Sequence, residues 1–295
     1  MSIAAVHQSR AGSTPPFPAV AAEPSVVAGM GYLIPGAERP YTYMYDPPPG
    51  VDKQNCDFVM APMAIADARA FAAKPALEAE GFELWQAPSR VRDFRDDDEV
   101  ARVYYPEAAE LACTATGGSR AVVFDHQVRQ REAGRPALGF GRSGDGAKPA
   151  AVGRVHNDYS EASGRKRLDL VLGDAAVGVG RYAIVNIWRS IAGPVLDTPL
   201  AVCDARSVLA SELIASEIRY ADRRGEIYLA HHSPRHRWAY FSAMDRHEAL
   251  VFKQYDSQAG GVSRFTLHAA FDHPRTPPDA PLRQSIEVRC LVLFP

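Results

Sequence analysis

The sequence predicts a mainly β fold with flanking helices, an α+β chain whose C-terminal half is an antiparallel sandwich or barrel. Three observations predict it. From about residue 153, short apolar runs follow one another: RLDLVLG, YAIVNIWRSI, PLAVCDA, EIYLAHH, WAYFSAM, EALVFKQYDS, RFTLHAAF and SIEVRCLVLF, each bounded by turn residues. One stretch among them, SVLASELI, reads as a helix. The half before it mixes strand patterns with one long stretch of helical spacing, and no fixed-period repeat runs through the chain.

The elements follow in order. Residues 1–38, rich in Ala, Pro, Ser and Gly, are expected to form a flexible or loosely packed arm. Residues 39–295 carry no linker and are expected to form one domain with a mixed α/β N-terminal part. YTYMYDPPPG alternates aromatic and smaller residues and stops at three prolines, a strand closed by a turn. DFVMAPMAIADAR is a strand, and RAFAAKPALEAEGFELW a short helix ended near Gly81 and then a strand. DDDEVARVYYPEAAELACTATGG opens on acidic residues, which suit a helix N-terminus, and a break is expected at Pro106. RAVVFDHQVRQ is a strand.

The 295 residues are 46% hydrophobic and 23% charged with a net charge of −2, so no basic footprint for nucleic acid exists. Every apolar run is too short for a membrane span, and no polybasic run addresses anionic lipid. MSIAAVHQSR lacks the basic-then-apolar pattern of a secretory leader. Cys56, Cys113, Cys203 and Cys290 form no Cys-x-x-Cys pair. They read as small buried hydrophobes of a cytoplasmic protein.

Chemistry enters at VHNDYS. His156 and Asp158 are two apart, so on an extended strand both side chains leave one face. Alone they also fit a surface strand end with two polar groups in water. His268, in RFTLHAAF, lies near the other end of the β-rich region, and a closed β fold brings first and last strands together. Two imidazoles and one carboxylate then occupy one face of a metal, the facial triad of non-haem Fe(II) oxygenases, with positions left for a chelating cosubstrate and O2. In RQSIEVRC, Arg283, Ser285, Glu287 and Arg289 alternate and share a face. Arg283 with Ser285 is a clamp for the far carboxylate of a 2-oxo acid, and Arg289 is its rival.

Together with YTYMYDPPPG, AIADAR, VRDFRDDDEV, YYPEA, VFDHQVR, NIWRSI, PLAVCDARS and ALVFKQYDS, these motifs make the chain from about Tyr41 to Pro295 resemble a known group. It is the Fe(II)/2-oxoglutarate-dependent hydroxylase/desaturase family of secondary metabolism, which includes the cephamycin hydroxylase component and the gibberellin-desaturase and AsaB-like enzymes. The resemblance implies a double-stranded β-helix (jelly-roll) core, with His156, Asp158 and His268 as the iron ligands. It implies Fe(II), 2-oxoglutarate and O2 as cofactors, and a small-molecule substrate that is hydroxylated, desaturated or cyclised. Other oxygenases of that fold place Arg-x-Ser soon after the distal histidine, whereas Arg283 lies 15 residues beyond His268, past RTPPDAPLR.

Further residues carry two readings each. Asn186 and Trp188 share a strand face, and a buried amide needs a partner, which suggests a place beside the cofactors. Trp188, Arg189, Tyr240 and His126 are substrate candidates. Against these stand core packing for Trp188 and for Tyr240 with Phe241 and Met244, pairing of Arg189 with Asp204, and strand capping by His126. His231, His232 and His236 in HHSPRHR form either a zinc site or a solvated loop, and Lys253 with Asp256 a structural ion pair. Two other function classes fit a jelly-roll with these residues: a non-catalytic ligand-binding protein, against which the triad argues, and a metal-dependent hydrolase or isomerase, against which the Arg283–Ser285 clamp argues.

Overall fold

Two sheets face each other in the computed structural model, which describes residues 24–142 and 149–295. In chain order the N-terminal strands are β1 (Ser25–Leu33), β2 (Tyr41–Tyr43), β3 (Phe58–Asp67), β4 (Phe82–Gln86) and β5 (Arg120–Gln130). Next come β6 (Phe140–Arg142), β7 (Pro149–Val152), β8 (His156–Asn157), β9 (Tyr182–Ser190), β10 (Leu200–Cys203) and β11 (Leu213–Arg219). The last are β12 (Arg224–Ala230), β13 (Trp238–Tyr240), β14 (Glu248–Asp256), β15 (His268–Ala270) and β16 (Gln284–Leu293). The larger sheet runs β1-β3-β13-β10-β15-β8-β12-β11-β2 and the smaller β4-β14-β9-β16-β5; β6 and β7 form a separate hairpin. Pairing is antiparallel except at β13–β3 and β11–β2. This two-sheet wrapping is the jelly-roll.

Every residue of β9, YAIVNIWRS, is buried, because the strand is covered on both sides. Its outward residues Val185 and Ile187 meet Tyr104, Ala108 and Ala112 of the helical segment. Small alanines let the helix lie close. That segment consists of α1 (Asp97–Glu99), a wider π turn (Val100–Tyr104) and α2 (Tyr105–Thr116). Asp96 caps it by accepting from Asp98 N and Glu99 N, and Gly117, at φ 71°, ends it. The expected break at Pro106 is absent. The proline occupies the first turn of α2, and the π turn before it absorbs the irregular hydrogen bonding.

Four further expectations need correction. The arm expected over residues 1–38 is not loose throughout: Ser25–Leu33 is β1, paired with β3 along its whole length. Residues 1–23 lie outside the described residues. RLDLVLG, expected as a strand, is the end of α3 (Glu161–Leu172). Ser160 caps that helix in a capping box with Ser163, and Arg165 pairs with Glu161 one turn away. SVLASELI, expected as a helix, is two 3₁₀ turns (Ala205–Ser207 and Ala210–Glu212) leading into β11. The Asp204 carboxylate caps the start of the first turn by accepting from Arg206 N and pairs with Arg206 and Arg237. Of RAFAAKPALEAEG only Arg69 and Ala70 are helical, as the end of a single 3₁₀ turn (Ala68–Ala70).

The space between the sheets holds two apolar clusters. Trp188, Leu200, Val202, Phe241, Met244, Leu250 and Phe252 fill one end. Tyr159, Leu168, Tyr182, Ile184, Tyr255 and Leu291 fill the other, under α3. A polar stripe lies between them, contributed by β8, β9, β15 and β16.

Candidate metal centre

The stripe is built on one rung of a ladder. β8 and β15 are neighbours, and His156 stands directly opposite His268. Their ring centroids are 4.3 Å apart. His156 Nδ1 lies 2.8 Å from Arg154 O, and His268 Nδ1 lies 3.2 Å from Thr266 O. A carbonyl only accepts, so each Nδ1 carries the proton and each Nε2 turns its lone pair outward. Asp158 follows β8 and places Oδ1 3.4 Å from His156 Nε2. Donor atoms of all three residues lie within 4.8 Å of one another, and among the described residues no other such His/Cys/Asp/Glu group occurs.

Polar neighbours fix the carboxylate. Asn186 Nδ2 and Arg289 Nε each donate to Asp158 Oδ2 at 2.9 Å, while the Asp158 amide donates to Gln254 Oε1 at 2.7 Å. Asn157, fully buried between the two polar residues, donates to Gln254 O and accepts from Thr266 N, tying β8 to the strand carrying His268. Oδ2 is therefore spoken for and Oδ1 faces the imidazoles. Burial alone would push the Asp158 carboxyl up, but Arg289 and the two imidazoles hold it well below the usual carboxylate range. Burial pushes His268 down to about 3, so its imidazole is neutral.

Each guanidinium nitrogen of Arg289 meets a carboxylate. Besides Asp158 it donates Nη1 to Asp125 at 2.9 Å and Nη2 to Glu287 at 2.8 Å. Arg283 differs. It lines the same small cavity as the triad, about 20 Å³, together with Trp188, Leu200, Glu287 and Arg129. Its Nη1 donates to Thr198 O at 2.9 Å, but its Nε and the nearby Ser285 Oγ are buried without partners. The Trp188 ring lies 5.7 Å from its guanidinium. Burial and the neighbouring Arg129 pull Arg283 down to about 9, against the pull of Asp197 and Glu287.

Three sequence candidates lie outside the triad cavity. Arg189 points to the opposite face of β9, where Nε donates to Tyr104 Oη at 2.8 Å and Nη1 to Arg246 O; it does not pair with Asp204. Tyr240 packs on the far face of the larger sheet against Phe271, with its hydroxyl 3.1 Å from His273 Nε2. His126 lies outside the triad cavity, reaching Tyr105 and Asp97, but it lines the open groove along β5 together with Arg129. The HHSPRHR histidines do not converge on a metal. Trp238 donates to Tyr32 Oη, which meets His236 Nδ1 at 2.8 Å, and His236 Nε2 meets Glu212 at 3.0 Å. Lys253 and Asp256 do pair, at 2.8 Å.

The family model described as "YDMC: Oxidoreductase/YMDC permease-like domain" matches residues 30–293. The Fe(II)/2-oxoglutarate-dependent dioxygenase nvfI of Aspergillus novofumigatus is 30% identical over 266 residues, covering 87% of this chain and 92% of that protein. The chain belongs to the Fe(II)/2-oxoglutarate-dependent dioxygenases. The hydroxylase/desaturase efuI of Hormonema carpetanum is 31% identical, covering 79% of this chain and 83% of the relative. A solved structure of the iron and alpha-ketoglutarate-dependent endoperoxidase NvfI superimposes with a TM-score of 0.82 at 28% identity, over 92% of this chain and 98% of that one. The dioxygenase membership sets aside the binding-protein and hydrolase or isomerase readings. Among the described residues, no helix is long and apolar enough to cross a membrane.

The residues present fit the cofactors of such a dioxygenase. Two outward Nε2 lone pairs and one ionised carboxylate suit a divalent iron, and two orphaned buried donors on one strand face suit a carboxylate. Sequence reasoning missed Arg129, Asn157 and Gln254. Arg129 alternates with Asp125 and Gln127 in VFDHQVRQ, a polar face on an edge strand, and that is the one signal it gave.

Proposed function

We propose that this dioxygenase holds Fe(II) through His156 Nε2, Asp158 Oδ1 and His268 Nε2. We also propose that it binds 2-oxoglutarate with the distal carboxylate on Arg283 and Ser285, to hydroxylate, desaturate or cyclise a small molecule. The observation that carries the cosubstrate assignment is the pair of buried, partnerless donors at the start of β16: Nε of Arg283, which lines the triad cavity, and Oγ of Ser285 two residues on. Burying such groups without a partner is costly, so the fold keeps them for a ligand. Arg289 already has three carboxylates on its guanidinium, one at each nitrogen, and instead steadies Asp158.

Iron, 2-oxoglutarate and O2 supply the oxidising power in this family, and the chain's own residues supply placement. Asn186 and Arg289 keep Oδ2 of Asp158 turned from the metal position. Trp188 and Leu200 wall the cosubstrate side and exclude water. Arg129 lines both the triad cavity and an open groove of about 650 Å³ along β5, and that groove is the proposed approach for substrate. The scattered free cysteines are consistent with a cytoplasmic location, which stays part of this proposal.

Anaerobic titration tests the assignment. Adding 2-oxoglutarate to the Fe(II)-loaded protein is expected to raise a weak visible charge-transfer band. Arg283→Ala is expected to weaken that titration by about 30-fold or more, since a charged, bidentate contact is lost in a dry pocket. Normal binding by Arg283→Ala would move the clamp elsewhere.

A further inference from the structure

Thr198, whose carbonyl meets Arg283, adopts a strained backbone conformation. Its φ is 48°, in the left-handed region that β-branched residues rarely enter, and its side chain is fully buried. Three hydrogen bonds hold it there. The hydroxyl donates to Asp197 Oδ1 at 2.7 Å and accepts from Arg131 Nε at 3.1 Å. The carbonyl accepts from Arg283 Nη1 at 2.9 Å. Behind these, Arg131 Nη2 donates to Asp272 Oδ1 at 3.0 Å, the Arg131 amide donates to Arg283 O at 2.8 Å, and Arg135 faces the Asp197 carboxylate at 3.4 Å. The turn between β9 and β10 is thereby tied to the segment after β5 and to the start of β16.

We infer that Thr198 is a positioning residue that orients the Arg283 guanidinium toward a dicarboxylic 2-oxo acid. This rests on the proposed pairing of Arg283 with the distal carboxylate. A guanidinium has donors along more than one edge, and which edge faces the ligand depends on what occupies the others. The strained turn delivers a carbonyl to Nη1 and leaves Nε free. If the turn relaxed to an ordinary φ, the carbonyl would swing away and the guanidinium would rotate to satisfy itself on protein atoms. Strain maintained by surrounding contacts and spent on ligand geometry is a recurring feature of binding sites. Arg131 anchors the device, because its Nε bond to the hydroxyl is what favours the left-handed turn.

The test compares two probes titrated anaerobically into Fe(II)-loaded protein: 2-oxoglutarate, and 2-oxovalerate, which has the same chain length and no distal carboxylate. Thr198→Val keeps the shape and removes the hydroxyl. It is expected to raise the 2-oxoglutarate Kd about tenfold while changing the 2-oxovalerate Kd and the iron affinity by less than about twofold. Thr198→Asn, which tolerates the left-handed region and keeps a hydrogen-bonding side chain, is expected to restore 2-oxoglutarate binding to within about threefold of the parent. Arg131→Met is expected to reproduce the selective loss and decides the matter if Thr198→Val folds poorly. The inference is overturned if these variants bind 2-oxoglutarate as the parent does while Arg283→Ala does not, or if both probes weaken equally. Parent-like binding by Arg283→Ala would instead overturn the clamp reading on which it rests.

Discussion

Arg289 reaches across from β16 to Asp158 and donates Nε to the same carboxylate oxygen that Asn186 already holds. The contact joins the smaller sheet to the residue that follows β8 in the larger one. Removing the guanidinium strands three carboxylates, those of Asp158, Glu287 and Asp125. Arg289→Gln is therefore expected to weaken Fe(II) binding by about 10- to 100-fold, the usual cost of losing a partner of a metal ligand. Arg289→Lys, which keeps the charge but not the fork, is expected to fall in between. Equilibrium dialysis against Fe(II) reads both, and parent-like affinity in Arg289→Gln would show that Asp158 needs no such support.

His156→Ala and His268→Ala are each expected to lose most Fe(II) binding, since two remaining ligands hold iron poorly. The cores flanking the polar stripe are apolar, so both variants are expected to keep their circular dichroism spectra. Retention of one equivalent of iron at unchanged affinity would remove that histidine from the proposed ligand set.

Asp158→Glu lengthens the arm by one methylene in a site that tolerates roughly 0.5 Å of displacement. Oxidation of substrate, and succinate production coupled to it, are expected to fall severely. Near-normal turnover would contradict the ligand geometry proposed for Oδ1.

Acid sensitivity has a specific source away from the metal centre. Glu212 accepts from Leu209 N at 2.8 Å, from Arg235 Nη2 at 2.7 Å and from His236 Nε2 at 3.0 Å. Burial raises its carboxyl, but these donors outweigh burial and bring it down to about 2 from 4.5. A lowered folded-state pKa contributes stability that is fully present above about pH 4.5 and is lost as pH falls toward about 2. Glu212→Gln is expected to lose about 2–3 kcal/mol at neutral pH, and its stability should vary less between pH 5 and 2. Urea unfolding at a series of pH values checks this. Parallel pH curves for the two proteins would assign the acid response to other groups.

Gly164 of α3 lies against the Tyr255 ring so closely that a Cβ there would come within 2.5 Å of Cδ2. Gly164→Ala gains helix propensity but forces the ring aside. A net loss of about 1–3 kcal/mol is expected in urea unfolding, and unchanged stability would mean the ring yields freely.

Much of the fold was legible because most strands are fully or half buried and carry their pattern openly, as YAIVNIWRS and SIEVRCLVL do. RLDLVLG was misread because a short apolar run fits strand and helix equally, and the deciding signal, the Ser160–Ser163 capping box, lies upstream of it. In the site, spacing alone put His156 with Asp158 and Arg283 with Ser285 on common faces. Spacing could not say which face of a strand turns inward. Arg189 therefore looked as eligible as Trp188, although it points away from the cavity. The strain at Thr198 left no trace in sequence, since threonine is not a residue that announces a left-handed turn.

The polar stripe between the two apolar clusters also links the two sheets mechanically. Asp158 is seated in the strands of one sheet and gripped by Asn186 and Arg289 of the other. The spacing between the sheets and the aim of the carboxylate are therefore a single mechanical variable. Repacking either flank, even far from any reacting atom, is therefore expected to shift that one side chain.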